Sequence, residues 1–175
     1  MFAVKPDVET AQVLFELDRL LDIFDAYDPA HVLEVGTWHG GTLWHWLQGG
    51  REVVSVDDTM FGAEEWESWA LTSGSTLHML QGGSQDREIV EQARALGPYD
   101  FVFIDADHTY NGVRSDWDNY RPMVAAGGVV AFHDIVSRPE YGVHQLWQEI
   151  KAEHPTVEIV EGSRPDYCGI GVVYL

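Results

Sequence analysis

The sequence predicts an α/β protein with a doubly wound, mostly parallel sheet and helices on both faces, in three layers. Short apolar runs alternate with amphipathic segments along the 175 residues, as expected when strands and helices follow one another. Two runs, residues 101–104 and 127–132, are apolar throughout, which is typical of parallel strands buried on both faces. Right-handed crossovers between such strands distribute the helices over the two faces.

The elements follow in order from an amphipathic helix at residues 8–27, whose apolar side chains recur at helical spacing before Pro29. Strands are predicted at 31–36, 52–56, 76–80, 101–104, 127–132, 157–160 and 170–175. Helices are predicted at 42–47, 63–71, 87–96, 113–124 and 141–153, with Ser84 as an N-cap for the third of these. The last two strands, joined by a loop at 161–169, are expected to pair antiparallel.

Length and composition predict a single domain, because 175 residues with 45% hydrophobic side chains are enough for one core. No internal repeat or linker divides the sequence. We expect a leading helix at residues 1–28, a cofactor and reactive core at 30–137, and a C-terminal helix with an antiparallel strand pair at 138–175.

Charge and cysteine content exclude several classes of function. A net charge of −19, from 29 acids and 10 bases, leaves no basic surface for nucleic acid or anionic lipid. The single Cys168 cannot form an internal disulfide. The first ten residues lack a secretion signal, and no apolar run approaches the roughly 18 residues that a membrane span requires. We therefore expect a cytoplasmic protein without a membrane segment; a homo-oligomer is left open.

The turn after the first strand has the glycines of a ligand-binding loop. Gly36 permits a sharp turn, and Gly40 lets the following helix pack near the strand. Trp38 stands where a dinucleotide fingerprint has its middle glycine, which favours a cofactor without a pyrophosphate. Asp57 ends the second strand about 20 residues later, where an acid accepts hydrogen bonds from a ribose, and Asp58 is an equal candidate.

Polar side chains also follow the third, fourth and fifth strands. Ser84 is placed to hold a base ring at the far side of the same crevice. Asp105, Asp107 and His108 follow the fourth strand and His133 and Asp134 end the fifth, so the carboxyl ends of neighbouring parallel strands bring them together. Carboxylates with one imidazole suit a divalent ion such as Mg²⁺ or Mn²⁺. His133 is a poor magnesium ligand, so either the metal differs or none binds.

Four motifs together resemble the class I S-adenosylmethionine-dependent methyltransferases. They are Glu-x-Gly-x-x-x-Gly-x-Thr at 34–42, the acid Asp57, Gly-x-Ser-x-Asp at 82–86, and Phe-Ile-Asp-Ala-Asp-His-x-Tyr at 103–110 with Gly-Gly-Val-Val-Ala-Phe-His-Asp at 127–134. The sequence is most similar to a small branch that includes sugar and macrolide O-methyltransferases and proteins labelled cephalosporin hydroxylases. The resemblance covers about residues 30–137.

This resemblance implies a seven-stranded sheet with S-adenosylmethionine over its first three strands. The implied cofactor contacts are Glu34 and Gly36 near the methionine end, Trp38 over it, Asp57 on the ribose, Ser84 near the adenine, and Asp105 beside the sulfonium. Negative charge on Glu34 and Asp105 would favour that cation. The implied metal ligands are Asp105 and Asp134, with His133 where relatives often have a second acid.

The implied reaction is methyl transfer to a hydroxyl of a small acceptor, a sugar or glycosylated metabolite, with His108 as general base and Asp105 as its catalytic neighbour. A divalent ion would assist by binding the acceptor oxygens. Three alternatives stay open: a non-catalytic cofactor-binding or regulatory module, an NAD-dependent oxidoreductase, and an oxygen-using iron enzyme. Trp38, in place of a glycine, disfavours the NAD-dependent oxidoreductase, and the carboxylate-rich cluster disfavours the iron enzyme.

Overall fold

The computed structural model describes residues 8–136, 141–162 and 168–175, which form one sheet with helices on both faces. The strands are β1 (His31–Val35), β2 (Glu52–Asp57), β3 (Thr76–Gln81), β4 (Tyr99–Ile104), β5 (Val124–His133), β6 (Thr156–Ile159) and β7 (Ile170–Tyr174). The helices are α1 (Leu14–Tyr27), α2 (Gly41–Trp46), α3 (Ala63–Ser73), α4 (Arg87–Leu96), α5 (Tyr110–Tyr120) and α6 (Val143–Glu153), with a short 3-10 helix at Arg121–Met123.

The sheet has seven strands in the order β3-β2-β1-β4-β5-β7-β6, which confirms the predicted doubly wound architecture. Strands β1 to β5 run parallel, whereas β7 is antiparallel to both β5 and β6, as expected for the final strand pair. The chain order reverses between β1 and β4. A ligand crevice is expected outside the carboxyl ends of the strands at such a switch point.

The two faces of the sheet each have a buried apolar layer. Helices α4, α5 and α6 cover one face, with Trp117 and Trp147 among the buried side chains. Helices α1, α2 and α3 cover the other face, with Trp46 and Trp66 fully buried. Side chains alternate between the layers along each strand, so that in β1 Val32 belongs to one layer and Leu33 to the other.

Several boundaries differ from the prediction. Helix α1 begins at Leu14 rather than at residue 8. Asp86, not Ser84, is the N-cap of α4, and its carboxylate accepts from the N–H of Gly83. Helix α5 begins at Tyr110 because the Thr109 hydroxyl accepts from the N–H of Gly112. Residues 163–167 of the predicted C-terminal loop lie outside the described residues.

Across the described residues, none of the helices has the length and apolar character that are needed to cross a membrane.

Candidate functional site

A cleft of about 820 Å³ lies at the carboxyl ends of the strands around the switch point. Eight of the predicted cofactor, catalytic and metal residues line it. Two are the last residues of β2 and β5, and six follow the strands β1, β3, β4 and β5: Asp57, His133, Gly36, Trp38, Ser84, Asp105, His108 and Asp134. Glu34 is the predicted site residue that does not line this cleft.

The glycine turn joins β1 to α2 beneath the cleft. Gly36 has a φ of +91°, and a Cβ there would lie 2.2 Å from the backbone oxygen of Asp105. Its role is therefore to let the end of β1 approach the end of β4. Gly40 has a φ of +82°, and a Cβ there would lie 2.5 Å from Trp66 Nε1, so this glycine makes room for α3 rather than for the strand.

Trp38 lies at the edge of the cleft, where 43% of its surface is exposed. Its φ of +49° is unusual for a side chain of this size. The indole contacts His39 edge-on, with ring centroids 4.3 Å apart, and His39 in turn stacks on Phe61. The tryptophan predicted over the cofactor is thus part of a row of aromatic rings at the mouth of the cleft.

Asp57 organises the turn through both of its carboxylate oxygens. Oδ2 accepts from the backbone N–H groups of Thr37 and Trp38, each at 2.8 Å. Oδ1 accepts from the backbone N–H of Thr59 at 2.9 Å and from its hydroxyl at 3.0 Å. Asp58 also lines the cleft and is exposed. Both acids remain candidates for the ribose.

The far end of the cleft is formed by the segment between β3 and α4. The backbone oxygen of Ser84 accepts from the hydroxyl of Tyr120 at 2.6 Å, which fixes this segment on α5. Asp116 is buried nearby, and that burial raises the pKa of its carboxyl to about 6. Gln85 also lines the cleft and donates to Asp107 Oδ2 at 3.2 Å. Nothing in the sequence pattern distinguished Gln85 from other loop residues.

Glu34 lies in β1 behind the turn, with none of its surface exposed. Its Oε1 accepts from the Thr42 hydroxyl at 2.5 Å and from Trp46 Nε1 at 2.8 Å. Its Oε2 has no hydrogen-bond partner among the described residues. Burial raises the pKa of Glu34 to about 8, so this carboxyl is protonated at neutral pH and lacks the expected negative charge. Thr42, whose hydroxyl donates to Glu34, does line the cleft.

The ends of β4 and β5 bring two acids and two imidazoles together. Asp105 Oδ1 lies 3.2 Å from His108 Nε2 and 3.2 Å from His133 Nδ1. Asp134 Oδ2 lies 3.0 Å from the same His108 nitrogen and 3.4 Å from the same His133 nitrogen. Asp134 has a φ of +62°, which turns the chain sharply at the end of β5. We call these four residues the acid–imidazole cluster.

The pairing within this cluster sets its charge. Hydrogen bonds to Asp105 and Asp134 raise the pKa of His108 to about 9. Burial opposes protonation of His133, but Asp105 raises its pKa well above the ordinary value. The two imidazoles in turn hold the pKa of Asp134 well below its usual range despite its burial. At neutral pH both carboxylates are therefore ionised and both imidazoles are protonated.

Three further residues complete the surroundings of the cluster. Gln12 donates to Asp105 Oδ2 at 2.7 Å from the segment before α1, which also lines the cleft. The ring of Tyr141 stacks on His108, with centroids 4.6 Å apart and an interplanar angle of 10°. Cys168 lines the same cavity. The periodicity of the sequence carried no signal for Gln12 or Cys168, because both reach the site from distant parts of the chain.

Among the described residues, two groups of side chains have ligand atoms within 4.8 Å of one another. One group is Asp105, His108 and Asp134; the other is His133, Asp134 and Cys168. Oδ1 of Asp134 is buried without a hydrogen-bond partner in the described part of the chain, and the same is true of His133 Nε2. Free ligand atoms in a compact, acid-containing pocket fit a divalent cation.

Two curated relatives match much of this chain. Uncharacterized protein y4gI of Sinorhizobium fredii is 32% identical over 169 residues, which is 85% of this chain and 17% of the relative. Uncharacterized protein R132 of Acanthamoeba polyphaga mimivirus is 29% identical over 126 residues, which is 67% of this chain and 57% of the relative. The chain thus spans less than two thirds of the length of either protein.

Solved structures share the fold at low identity. The O-methyltransferase from Bacillus cereus in complex with SAH is 17% identical, with a TM-score of 0.71 over 97% of this chain and 84% of that one. The O-methyltransferase TomG from Streptomyces achromogenes, in complex with SAM, is 16% identical, with a TM-score of 0.74 over 97% and 82%. MycE methyltransferase, in complex with Mg, SAH and mycinamycin VI, is 20% identical, with a TM-score of 0.61 over 89% and 48%.

The profile of a family described as a methyltransferase domain matches residues 33–135, which is more than half of the chain and includes both halves of the cleft. With its seven-stranded sheet and its cleft at the switch point, the chain therefore belongs to the methyltransferase domain family.

Proposed function

We propose that this chain binds S-adenosylmethionine and catalyses transfer of its methyl group to a hydroxyl of a small acceptor. The observation that carries the proposal is that one cleft joins the glycine turn and the acids at the end of β2 to the acid–imidazole cluster at the ends of β4 and β5. Family membership supports the cofactor, and two of the fold neighbours are O-methyltransferases solved with SAH or SAM. A net charge of −19 disfavours nucleic acid as the acceptor.

The turn side of the cleft would hold the cofactor. Gly36 brings the β1 end close to Asp105, so a cationic sulfonium bound over this turn would lie near an ionised carboxylate. Trp38 would cover the methionine end. Asp57 or Asp58 would accept hydrogen bonds from the ribose, and Ser84 would contact the adenine. Glu34 would affect the cofactor only indirectly, through its hydrogen bond with the Thr42 hydroxyl.

His108 would serve as the general base. Its Nε2 faces both carboxylates of the cluster, and its side chain is 34% exposed, so an acceptor hydroxyl can reach it from the cleft. The stacked Tyr141 ring holds the imidazole plane. To accept a proton His108 must first be neutral, which requires that its bonds to Asp105 and Asp134 weaken. The acceptor oxygen would then bond to the methyl carbon as His108 takes the hydroxyl proton.

A divalent ion is part of the proposal. Asp134, which belongs to both groups of potential ligands, would bind the ion. The ion would polarise the oxygens of the acceptor. Competition for the lone pairs of Asp134 would also lower the pKa of His108 toward neutrality. A sugar or glycosylated metabolite is the acceptor class that we favour, and MycE, solved with Mg, SAH and mycinamycin VI, supports it.

The test combines binding and turnover. We expect calorimetry to show binding of S-adenosylmethionine and its demethylated product, but not of NAD. The variant His108→Ala should retain cofactor binding and lower methyl transfer to a responsive acceptor by roughly 10²- to 10⁴-fold. His78→Ala is a matched control, because His78 is similarly exposed, at 33%, and pairs with an acid outside the cleft.

Two outcomes would contradict the proposal. Loss of cofactor binding with an unchanged rate in His108→Ala would remove His108 from the role of base. Cofactor binding without turnover on any hydroxylated acceptor would favour the non-catalytic binding module instead.

A further inference from the structure

Cys168 is held beside the acid–imidazole cluster by main-chain pairing. In the antiparallel pair of β5 and β7, His133 lies opposite Ile170. The pairing continues past both strand ends, since the N–H of Val136 donates to the carbonyl of Cys168 at 2.9 Å. On the other side, the N–H of the following Gly169 donates to Glu16 Oε2 at 3.0 Å. The position of Cys168 is therefore set by the sheet and by α1.

Two atoms of the neighbouring side chains have no partner in the described part of the chain. His133 and Asp134 are each only 3% exposed, and both line the cleft. His133 Nε2 and Asp134 Oδ1 are buried without a hydrogen bond to any described residue. Buried polar atoms in folded proteins nearly always have a partner, so these two atoms are open to a ligand from outside the chain.

The free atoms distinguish between the two groups of potential ligands. In the group of Asp105, His108 and Asp134, the facing atoms already bond to one another at 3.0 to 3.2 Å. In the group of His133, Asp134 and Cys168, one ligand atom of each residue lies within 4.8 Å of the other two, and Cys168 hydrogen-bonds with both other side chains. In addition, His133 and Asp134 each have a second polar atom without a hydrogen bond to a described residue. The second group is therefore the better prepared for an ion.

The chemistry of this second group selects the ion. A thiolate, an imidazole and a carboxylate are the ligand types of Zn²⁺ and of similar transition metals, whereas Mg²⁺ is bound through oxygen. Three protein ligands with a fourth position open toward a cleft are the arrangement of catalytic zinc sites. The thiol and the imidazole would release their protons to solvent on binding.

We propose that His133, Asp134 and Cys168 bind a divalent transition-metal ion of the zinc class, with His108 outside the ligand set. All three residues line the same cavity as His108 and Tyr141, so a fourth position on the ion would be open to that cavity. The ion is thereby placed next to the acceptor side of the cleft, and His108 is left to exchange protons. This assignment rests on the divalent ion of the proposed function, but its test follows the ion alone and can succeed or fail separately from methyl transfer.

The test uses Co²⁺ as a coloured substitute for Zn²⁺. We expect metal-free protein, titrated without oxygen, to develop a thiolate-to-cobalt charge-transfer band in the near ultraviolet that saturates at one equivalent. Zn²⁺ should remove this band and Mg²⁺ should not. The variant Cys168→Ser should lose the band, whereas Asp105→Asn, which alters the other group, should retain it. Thermal unfolding followed by circular dichroism checks that both variants are folded.

A second measurement needs no variant, because Cys168 is the only cysteine in the chain. We expect Zn²⁺, but not Mg²⁺, to slow the reaction of this thiol with a disulfide reagent such as DTNB. Cobalt binding without the charge-transfer band would overturn the assignment, as would a thiol rate unchanged by Zn²⁺. Binding that is lost in Asp105→Asn and kept in Cys168→Ser would place the ion in the other group.

Discussion

Gly36 and Gly74 both have a positive φ but differ in their surroundings. Their φ angles are +91° and +74°, yet a Cβ would lie 2.2 Å from a backbone oxygen at Gly36 and within 4 Å of nothing at Gly74. We expect Gly74→Ala to lower the free energy of unfolding by about 1–2 kcal/mol, the cost of a left-handed backbone. Gly36→Ala should cost about 1–3 kcal/mol more, because β1 and β4 must separate. Urea denaturation measures both; equal losses would contradict the packing argument.

We expect substitutions of Asp57 and of Asp58 to affect cofactor binding differently. Asp57 holds the N–H groups of Thr37 and Trp38 in the glycine turn, so Asp57→Ala should weaken binding of S-adenosylhomocysteine several-fold or more even if the ribose is bound elsewhere. Asp58→Ala leaves the turn intact and lowers the affinity only if Asp58 binds the ribose. Calorimetry on both variants assigns the ribose ligand. An unchanged affinity in Asp57→Ala would mean that the turn is not part of the cofactor site.

Residues of the cleft also show which features could be predicted from the sequence and which could not. Asp105 and Asp134 were predicted to meet because each follows an apolar run, and the ends of adjacent parallel strands lie together. The hydrogen bonds that occupy Asp57 were not predictable, because they depend on the conformation of the turn. The N-cap prediction for Ser84 was wrong for a similar reason, since Asp86 occupies that position.

At the scale of elements, a buried acid connects α1 to the segments around β6 and β7. Glu16 has none of its surface exposed, and its carboxylate accepts from the N–H groups of Glu161 at 3.1 Å and Gly169 at 3.0 Å. The helical pattern predicted α1 from its apolar face but gave no reason for an acid on that face. The tertiary structure supplies the reason, since these N–H groups lie outside the ladder of the sheet.

Removing this carboxylate should therefore loosen the contact between α1 and the end of β7. We expect Glu16→Ala to lower the free energy of unfolding by about 1.5–3 kcal/mol, because the N–H groups of Glu161 and Gly169 lose a charged acceptor. Asp18→Ala, on the exposed face of the same helix, should stay within about 0.5 kcal/mol of the parent protein. Chemical denaturation compares the two variants. Similar effects at both positions would mean that helix propensity, rather than this connection, sets the contribution of α1.

At the scale of the whole molecule, Glu34 couples stability to pH. Its pKa of about 8 in the folded protein lies above the ordinary 4.5, so the folded state keeps a proton that the unfolded chain has lost. Its contribution to stability therefore falls as the pH rises from about 4.5 to about 8 and is constant above that range. The magnitude is on the order of 3–5 kcal/mol.

Glu34→Gln tests this coupling, because the amide oxygen can still accept from Thr42 and Trp46 while no group titrates. We expect the difference in unfolding free energy between variant and parent to grow in favour of the variant across the same pH range. The difference isolates Glu34 from His45 and the acid–imidazole cluster, whose pKa values also shift. Denaturation at several pH values measures it, and parallel stability curves would show that Glu34 does not titrate in this range.

The amino-acid sequence by itself determined the alternation of strands and helices, the three layers, and the meeting of Asp105, His108, His133 and Asp134. These follow from local periodicity and from the rule that parallel strands end at one edge. Only the tertiary structure decided which groups are protonated, that Glu34 lies behind the cleft, and that Gln12 and Cys168 reach the cluster. Such features depend on how deeply a group is buried and on contacts between distant segments. Packing in the folded protein, rather than the spacing of residues along the chain, decides the cost of burying a polar group and the gain from pairing it.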